Sequence, residues 1–149
     1  MTLKLLPAVI GDAELLAQMN KRLIEDEGSR NPMNLSQLTE RMRGWLQGSW
    51  KADFILRDDQ VIGYALYEFR KDQYDPSLPV VYLRQYYIER EHRNNGYGRL
   101  ALQLLRRERF GPGATVEIDV LSGNPGGQRF WTAAGFEPYC ITMKLPPLS

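Results

Sequence analysis

The stretch Tyr86-Tyr87-Ile88-Glu89-Arg90-Glu91-His92-Arg93-Asn94-Asn95-Gly96-Tyr97-Gly98-Arg99 holds the residue types best suited to chemistry in this chain. A β-prone run ends at Ile88, a polar loop follows with Arg93 in it, and two glycines one residue apart open a helical pattern. Read physically, this is an anion cradle. The first turn of a helix presents unpaired N–H groups and the positive end of the helix dipole, and glycine lets a phosphate approach the backbone closely. Arg93 and Arg99 add positive charge at its rim.

The charge distribution agrees. Between positions 84 and 109, seven arginines stand against Glu89, Glu91 and Glu108, a local +4, so a chain of net charge +1 carries −3 elsewhere. A basic segment in a near-neutral chain suits a small anionic ligand. A nucleic-acid surface makes the whole domain basic, so no nucleic-acid partner is expected.

The same glycines also spell Gly96-x-Gly98-x-x-Ala101, with Asp119 further on, the outline of a dinucleotide-binding fingerprint. Three points speak against it. Seven residues separate Ile88 from Gly96, too many for the tight strand-to-helix turn. The fingerprint opens a repeated βαβ fold, and only about fifty residues follow here. Asp119 falls inside an alternating strand pattern, not at its carboxyl end.

The elements that must position this loop follow from periodicity. Residues 3–10 suit a first strand, and Asp12 offers a cap to a helix with Leu15, Leu16, Met19 and Leu23 at helical spacing, ended by Gly28. A second helix is predicted over 35–47, with Leu35, Leu38, Met42, Trp45 and Leu46 on one face. Residues 54–56 and 61–69 read as strands joined by a turn at Arg57-Asp58-Asp59-Gln60. The prolines of Tyr74-Asp75-Pro76-Ser77-Leu78-Pro79 mark a loop before a strand over 80–88. A helix over 96–109, with Leu100, Ala101, Leu104 and Leu105 inward, stops at Gly111-Pro112-Gly113. Residues 115–120 alternate as a strand, Asn124-Pro125 starts a helix ending at Gly135, and residues 136–145 can return as a last strand. The order β-α-α-β-β-β-α-β-α-β predicts an α/β fold, a mixed sheet with helices on both faces.

The 149 residues fit one domain over 1–149, and 43% apolar with 25% charged residues is the balance of a soluble globular chain. No run approaches the roughly 20 apolar residues needed to span a bilayer. The short apolar start Met1-Thr2-Leu3-Lys4-Leu5-Leu6-Pro7 lacks a signal-peptide core, so a cytoplasmic location and no membrane partner are expected. A single cysteine, Cys140, and a single histidine, His92, make a zinc site a poor fit, and no metal is expected. Cys140 is expected as a buried small hydrophobe and His92 as a solvated loop residue.

Arg93-Asn94-Asn95-Gly96-Tyr97-Gly98 resembles the Gln/Arg-x-x-Gly-x-Gly/Ala signature of the GNAT acyl-CoA N-acyltransferases. Asn124, the aromatic pair Phe130-Trp131 and Gly135-Phe136 resemble that family's second motif, and the element order matches across nearly the whole chain. The resemblance implies acetyl-CoA as cosubstrate and an amine as acceptor. It implies that the backbone of Asn94, Asn95, Gly96, Tyr97, Gly98 and Arg99, with Arg93, holds the coenzyme A pyrophosphate. Tyr87 and Ile88 would pair with the pantetheine amides like an added strand, and Asn124 and Trp131 would reach toward the pantetheine arm.

The resemblance also departs from the family at the reacting atoms. Many members carry a tyrosine as thiolate-protonating acid where this chain has Trp131, and an indole N–H cannot deliver a proton. Tyr139, Tyr87 and Tyr97 are the nearby candidates to replace it. The usual glutamate base corresponds to Tyr82, a weak base at neutral pH, which leaves Glu68 on the neighbouring strand as a further candidate. Glu27, in the run Glu25-Asp26-Glu27, falls where members build the acceptor pocket and would attract a cationic amine. The expected function is transfer of an acetyl group from acetyl-CoA to a primary amine of a small molecule or peptide. The alternative is a catalytically weak or inactive acyl-CoA-binding module of the same fold. A homodimer is compatible with either.

Overall fold

The structure, a computed structural model, describes residues 2–149. Five strands form one sheet in the order β1-β2-β3-β4-β5: β1 Leu3–Pro7, β2 Trp50–Arg57, β3 Gln60–Lys71, β4 Pro79–Ile88 and β5 Thr115–Glu117. The first four are antiparallel and β5 runs parallel to β4. Four helices cover it: α1 Ala13–Glu27, α2 Leu35–Gln47, α3 Tyr97–Leu105 and α4 Pro125–Ala133. None is long and apolar enough to cross a membrane.

Local sequence explains most boundaries. Gly28 ends α1 in the left-handed conformation, at φ 65°. Asn34 and Gln37 close a reciprocal capping box at the start of α2, each side chain 2.9 Å from the other's backbone N–H. Asp58 and Asp59 both take positive φ in the two-residue turn between β2 and β3, as the right-handed strand twist requires of a tight hairpin. Asp12 does not cap α1. Its carboxylate instead accepts from the Val9 N–H at 2.8 Å, holding the short turn before the helix.

The core has two sides. Ala52, Phe54, Leu56, Tyr64, Leu66 and Tyr87 meet α1 and α2, while Ala65, Tyr67, Val81 and Leu83 pack with Leu102, Leu105 and Phe110. Strict alternation along β4 would send Tyr87 to the same side as Val81 and Leu83. A β-bulge prevents this: Leu66 pairs with Gln85 but Tyr67 pairs with Leu83, so Arg84 is an extra residue. Parity flips there, and Tyr86 and Ile88 stay on the α3 side while Tyr87 faces α1.

The C-terminal third departs from expectation. The strand expected over 115–120 ends at Glu117, because beyond Tyr82 the two chains diverge and the ladder has no partner to continue on. Residues 136–145 form no strand, and Tyr139, Ile141, Met143 and Leu145 are exposed. Cys140 is exposed with them, not buried. α3 continues into a π-turn over Arg106–Phe110 that buries Phe110, and Leu100, expected inward, is exposed while Ala101, Leu104 and Leu105 are buried.

Candidate functional site

The divergence of β4 and β5 creates the site. Their pairing covers only Val80, Val81 and Tyr82 on β4. From residue 83 to Ile88, β4 has β3 on one edge and no strand on the other, and a groove of about 680 Å³ opens along the free edge. Arg84, Tyr87 and Ile88 line one wall, and Ile118, Asp119, Asn124, Phe130 and Trp131 line the opposite one. The loop from His92 to Arg99 lies at one end, and Asp26 and Glu27 from the last turn of α1 also face the groove.

The helix start at the loop end is built as the residue types suggest. Gly96 sits in the left-handed region at φ 78°, as does Asn94 at 64°, and Gly96 supplies no side chain to cap α3. The first helical bond is Leu100 N–H to the Gly96 carbonyl, 3.1 Å, so the earlier N–H groups have no helical acceptor. A Cβ at Gly96 would meet nothing within 4 Å, whereas one at Gly98 would meet the Phe130 ring at 3.0 Å. Gly96 is therefore needed for its backbone angle and Gly98 for the close approach of α4. The Tyr86 hydroxyl donates to the Gly98 carbonyl, which ties the end of β4 to the first turn of α3.

Two side chains brace the loop from below. The Arg93 Nε donates to the Ile88 carbonyl at 2.7 Å, and a second guanidinium nitrogen donates to Asp26. Arg90 holds the other oxygen of Asp26. Burial raises the pKa of Asp26, but the guanidinium groups of Arg93 and Arg90 outweigh it and hold the carboxyl below its ordinary range. Glu27 has the opposite environment. It takes part in no ion pair or hydrogen bond among the described residues, and burial, with the charge of Asp26, raises its pKa. Within the acidic run, Asp26 is thus neutralised and Glu27 is free.

The sequence pattern of the acetyltransferase (GNAT) family matches residues 18–136. This chain belongs to that family. A search of curated protein sequences gives no match. Among solved structures, an aminoglycoside N-acetyltransferase, AAC(6')-Iy, in complex with CoA is similar at a TM-score of 0.74 and 18% identity, covering 98% of this chain and 95% of the other. A predicted acetyltransferase with acetyl-CoA from Clostridium acetobutylicum gives 0.73 and 18%, covering 97% and 96%. A ribosomal-protein-alanine N-acetyltransferase from Brucella melitensis biovar Abortus 2308 gives 0.70 and 12%, covering 97% and 99%. At such identities the likeness is one of fold, and it is the GNAT fold.

Within that fold, the candidates for acid and base do not gather at the groove. Glu68 accepts from the Ser49 hydroxyl and from Arg70 Nε at 2.9 Å, outside the groove walls, and these bonds lower its pKa. Tyr82 donates its hydroxyl to Asp119, and burial together with that bond pushes its pKa up to about 12, so it stays protonated at neutral pH. A tyrosine that keeps its proton cannot accept another. Tyr139 is 89% exposed and outside the groove, because the segment carrying it joins no sheet.

The residues expected around coenzyme A do gather. Tyr87, Ile88, Arg93, Asn94, Gly96, Tyr97, Gly98, Arg99, Asn124 and Trp131 all line the groove, while Asn95 turns its amide back to the Arg93 carbonyl at 3.2 Å. Asn124 caps α4, accepting from the Gly127 N–H at 3.1 Å. Trp131 packs between Tyr86 and Phe136, with ring centroids 5.5 and 5.1 Å away. His92 also lines the groove. Among the groove residues to which the sequence alone assigns no role are Arg84 and, as the partner of Tyr82, Asp119. A bulge leaves no mark in a strand's composition, so only the local charge count touched Arg84.

Proposed function

We propose that this GNAT chain transfers an acetyl group from acetyl-CoA to an amine bound beside Glu27. The observation that carries the reading is the free edge of β4, which runs from the uncapped start of α3 back to the bulge at Arg84 within one groove. Such an edge offers N–H and C=O groups to the amides of an extended arm. The N-terminal turn of α3 offers N–H groups and a positive dipole end to a pyrophosphate. With the phosphates there, an arm laid along the edge brings its thioester toward residues 83 and 84.

The chemistry left to the protein is modest. The attacking amine must be neutral, and Glu27, free of partners and with a raised pKa, is suited to receive an ammonium and take its proton directly or through water. The carbonyl carbon is then attacked by nitrogen, the sulfur departs with the electron pair of the broken C–S bond, and the proton shed by the new amide nitrogen goes to that thiolate, directly or through water. A thiol pKa near 8.5 makes thiolate a good leaving group without a strong acid. Trp131, at the position many members give to a tyrosine, is placed to donate a hydrogen bond only.

A second reading, a binding module without turnover, gains support from the fates of Glu68, Tyr82 and Tyr139. Thiol release from acetyl-CoA with a panel of amines separates the two. Amine-dependent release supports transfer, and tight coenzyme A binding with no release under any amine leaves the binding module.

A further inference from the structure

The bulge at Arg84 puts a guanidinium where the free edge of β4 ends. Its carbon lies 4.9 Å from the centroid of the Trp45 ring and 5.8 Å from that of Trp50. Arg41, one helical turn before Trp45 on α2, lies 4.5 Å from the same Trp45 ring. Two guanidinium groups therefore share one indole. Of the other arginines over aromatic rings, Arg22, Arg70 and Arg93 hold Glu89, Glu68 and Asp26, while Arg57, over Tyr97, holds no carboxylate among the described residues. Arg41 and Arg84 hold none among the described residues.

Arg41 is further under-satisfied. One terminal nitrogen donates to the buried Asn20 at 3.2 Å, while its Nε is buried without any acceptor. Burial, and then the charge of Arg84, hold the Arg41 pKa below its ordinary value. Two like charges on one indole with no carboxylate partner favour an anionic ligand beside them. The same groove contains Glu27, a free carboxylate that forms no ion pair with Arg84. Glu27 and Arg84 both line the groove, and Arg41 reaches Arg84 through the shared Trp45 ring, so one free negative and one free positive group, backed by a second, complement a small zwitterion.

We propose that the acceptor is an amine that also carries a carboxylate, of the amino-acid type, with its carboxylate held by Arg84 and Arg41 and its ammonium directed to Glu27. The proposal rests on the acetyl-transfer reading and narrows it. A planar guanidinium binds a carboxylate through two parallel N–H bonds, and stacking on Trp45 fixes the plane of that fork before the ligand arrives. A polycationic acceptor would meet the uncompensated charge of Arg84 in the groove, with Arg41 behind it on the same indole.

The test compares free amino acids with their primary amides, and with spermidine, as acceptors for acetyl-CoA. The acids should exceed the matched amides in kcat/KM by roughly tenfold or more, the range of a charge-assisted bidentate contact. Arg84→Met and Arg41→Met should bring that ratio toward one by raising KM for the acid far more than KM for the amide, and Arg84→Lys should restore only part. A wild-type ratio at or below one, or a ratio that survives both substitutions, overturns the proposal while acetyl transfer stands. Calorimetry of the same amino acids against protein saturated with free coenzyme A reads the site without turnover. Binding that Arg84→Met abolishes supports the carboxylate site even if no acetyl group moves. Absence of binding there, with coenzyme A still bound, overturns it.

Discussion

Arg93 and Asp26 are joined across 67 residues of sequence, the guanidinium from the loop after β4 reaching the carboxylate in the last turn of α1. The same guanidinium donates to the carbonyl of Ile88 at 2.7 Å. The arginine of the Arg-x-x-Gly-x-Gly pattern thus gives its Nε and one terminal nitrogen to protein acceptors. It fixes the loop between the last residue of the strand and the first turn of the helix.

That arrangement changes what Arg93→Ala should do. Coenzyme A and dephosphorylated pantetheine should both weaken, by similar factors, because the loop and the end of the free strand edge are disturbed together. A loss confined to coenzyme A, measured by calorimetry on the two ligands, would mean that Arg93 acts on phosphate oxygens. Stability should fall by about 1–2 kcal/mol, discounted for the partly exposed guanidinium. The pH dependence has a definite sign. Asp26 is held below its ordinary 3.8, so its contribution is present above that value and is lost as pH falls through the lowered one. The wild-type advantage over Arg93→Ala in thermal melts should therefore shrink on acidification.

The two glycines of the cradle should respond differently. Gly96 needs only its left-handed angle, so Gly96→Asn should retain coenzyme A binding and most of its stability, since asparagine tolerates that region. Gly96→Val should cost about 1–3 kcal/mol of backbone strain. Gly98→Val fails for another reason: its first carbon would stand 3.0 Å from the Phe130 ring and displace α4 with Asn124 and Trp131. Denaturant melts and calorimetry on the three variants check this. Equal behaviour of Gly98→Val and wild type would remove the packing role.

Much of this was legible in the sequence because it is written locally. The cap at Gly28, the two aspartates of the hairpin and the two glycines at the start of α3 each signal through one or two residues. The bulge at Arg84 was not legible, since it is a mismatch between two strands and neither strand records it alone. The partners of Arg93 were hidden for the same reason, Asp26 being 67 residues away. Residues 136–145 alternate well enough to read as a strand, yet alternation only permits pairing. The division of the acidic run into a neutralised Asp26 and a free Glu27 depends on which side chain meets Arg90 and Arg93.

Tyr82 should prove dispensable as a base. Its hydroxyl is committed to Asp119 and its pKa is pushed up to about 12, first by burial and then by that bond. Tyr82→Phe should leave the pH profile of kcat/KM in place, with the rate within about threefold of wild type, far less than the 10²–10⁴-fold expected of a general base. A lost acidic limb in this variant would restore Tyr82 as the proton acceptor.

Glu27 should carry the pH dependence that Tyr82 does not. Its raised pKa, from burial and the neighbouring charge of Asp26, places its deprotonation above the ordinary 4.5. Acetyl transfer should rise with pH as that carboxyl ionises, and Glu27→Gln should remove this limb and lower kcat roughly a hundredfold or more. KM for acetyl-CoA should stay unchanged, since the cradle lies with α3. A rise in amine KM alone would assign Glu27 to binding the ammonium, and no change in either constant would remove it from the site. The same substitution has a signature in stability. A carboxyl whose pKa is raised by folding contributes most below its ordinary value, and that contribution is lost as pH rises through the raised one. Glu27→Gln should therefore melt at or above the wild-type temperature at pH 7, with the gap closing as pH falls below about 4.5. A variant that is more stable and less active is the combination expected when a carboxylate is kept charged in a partly buried place to meet an amine.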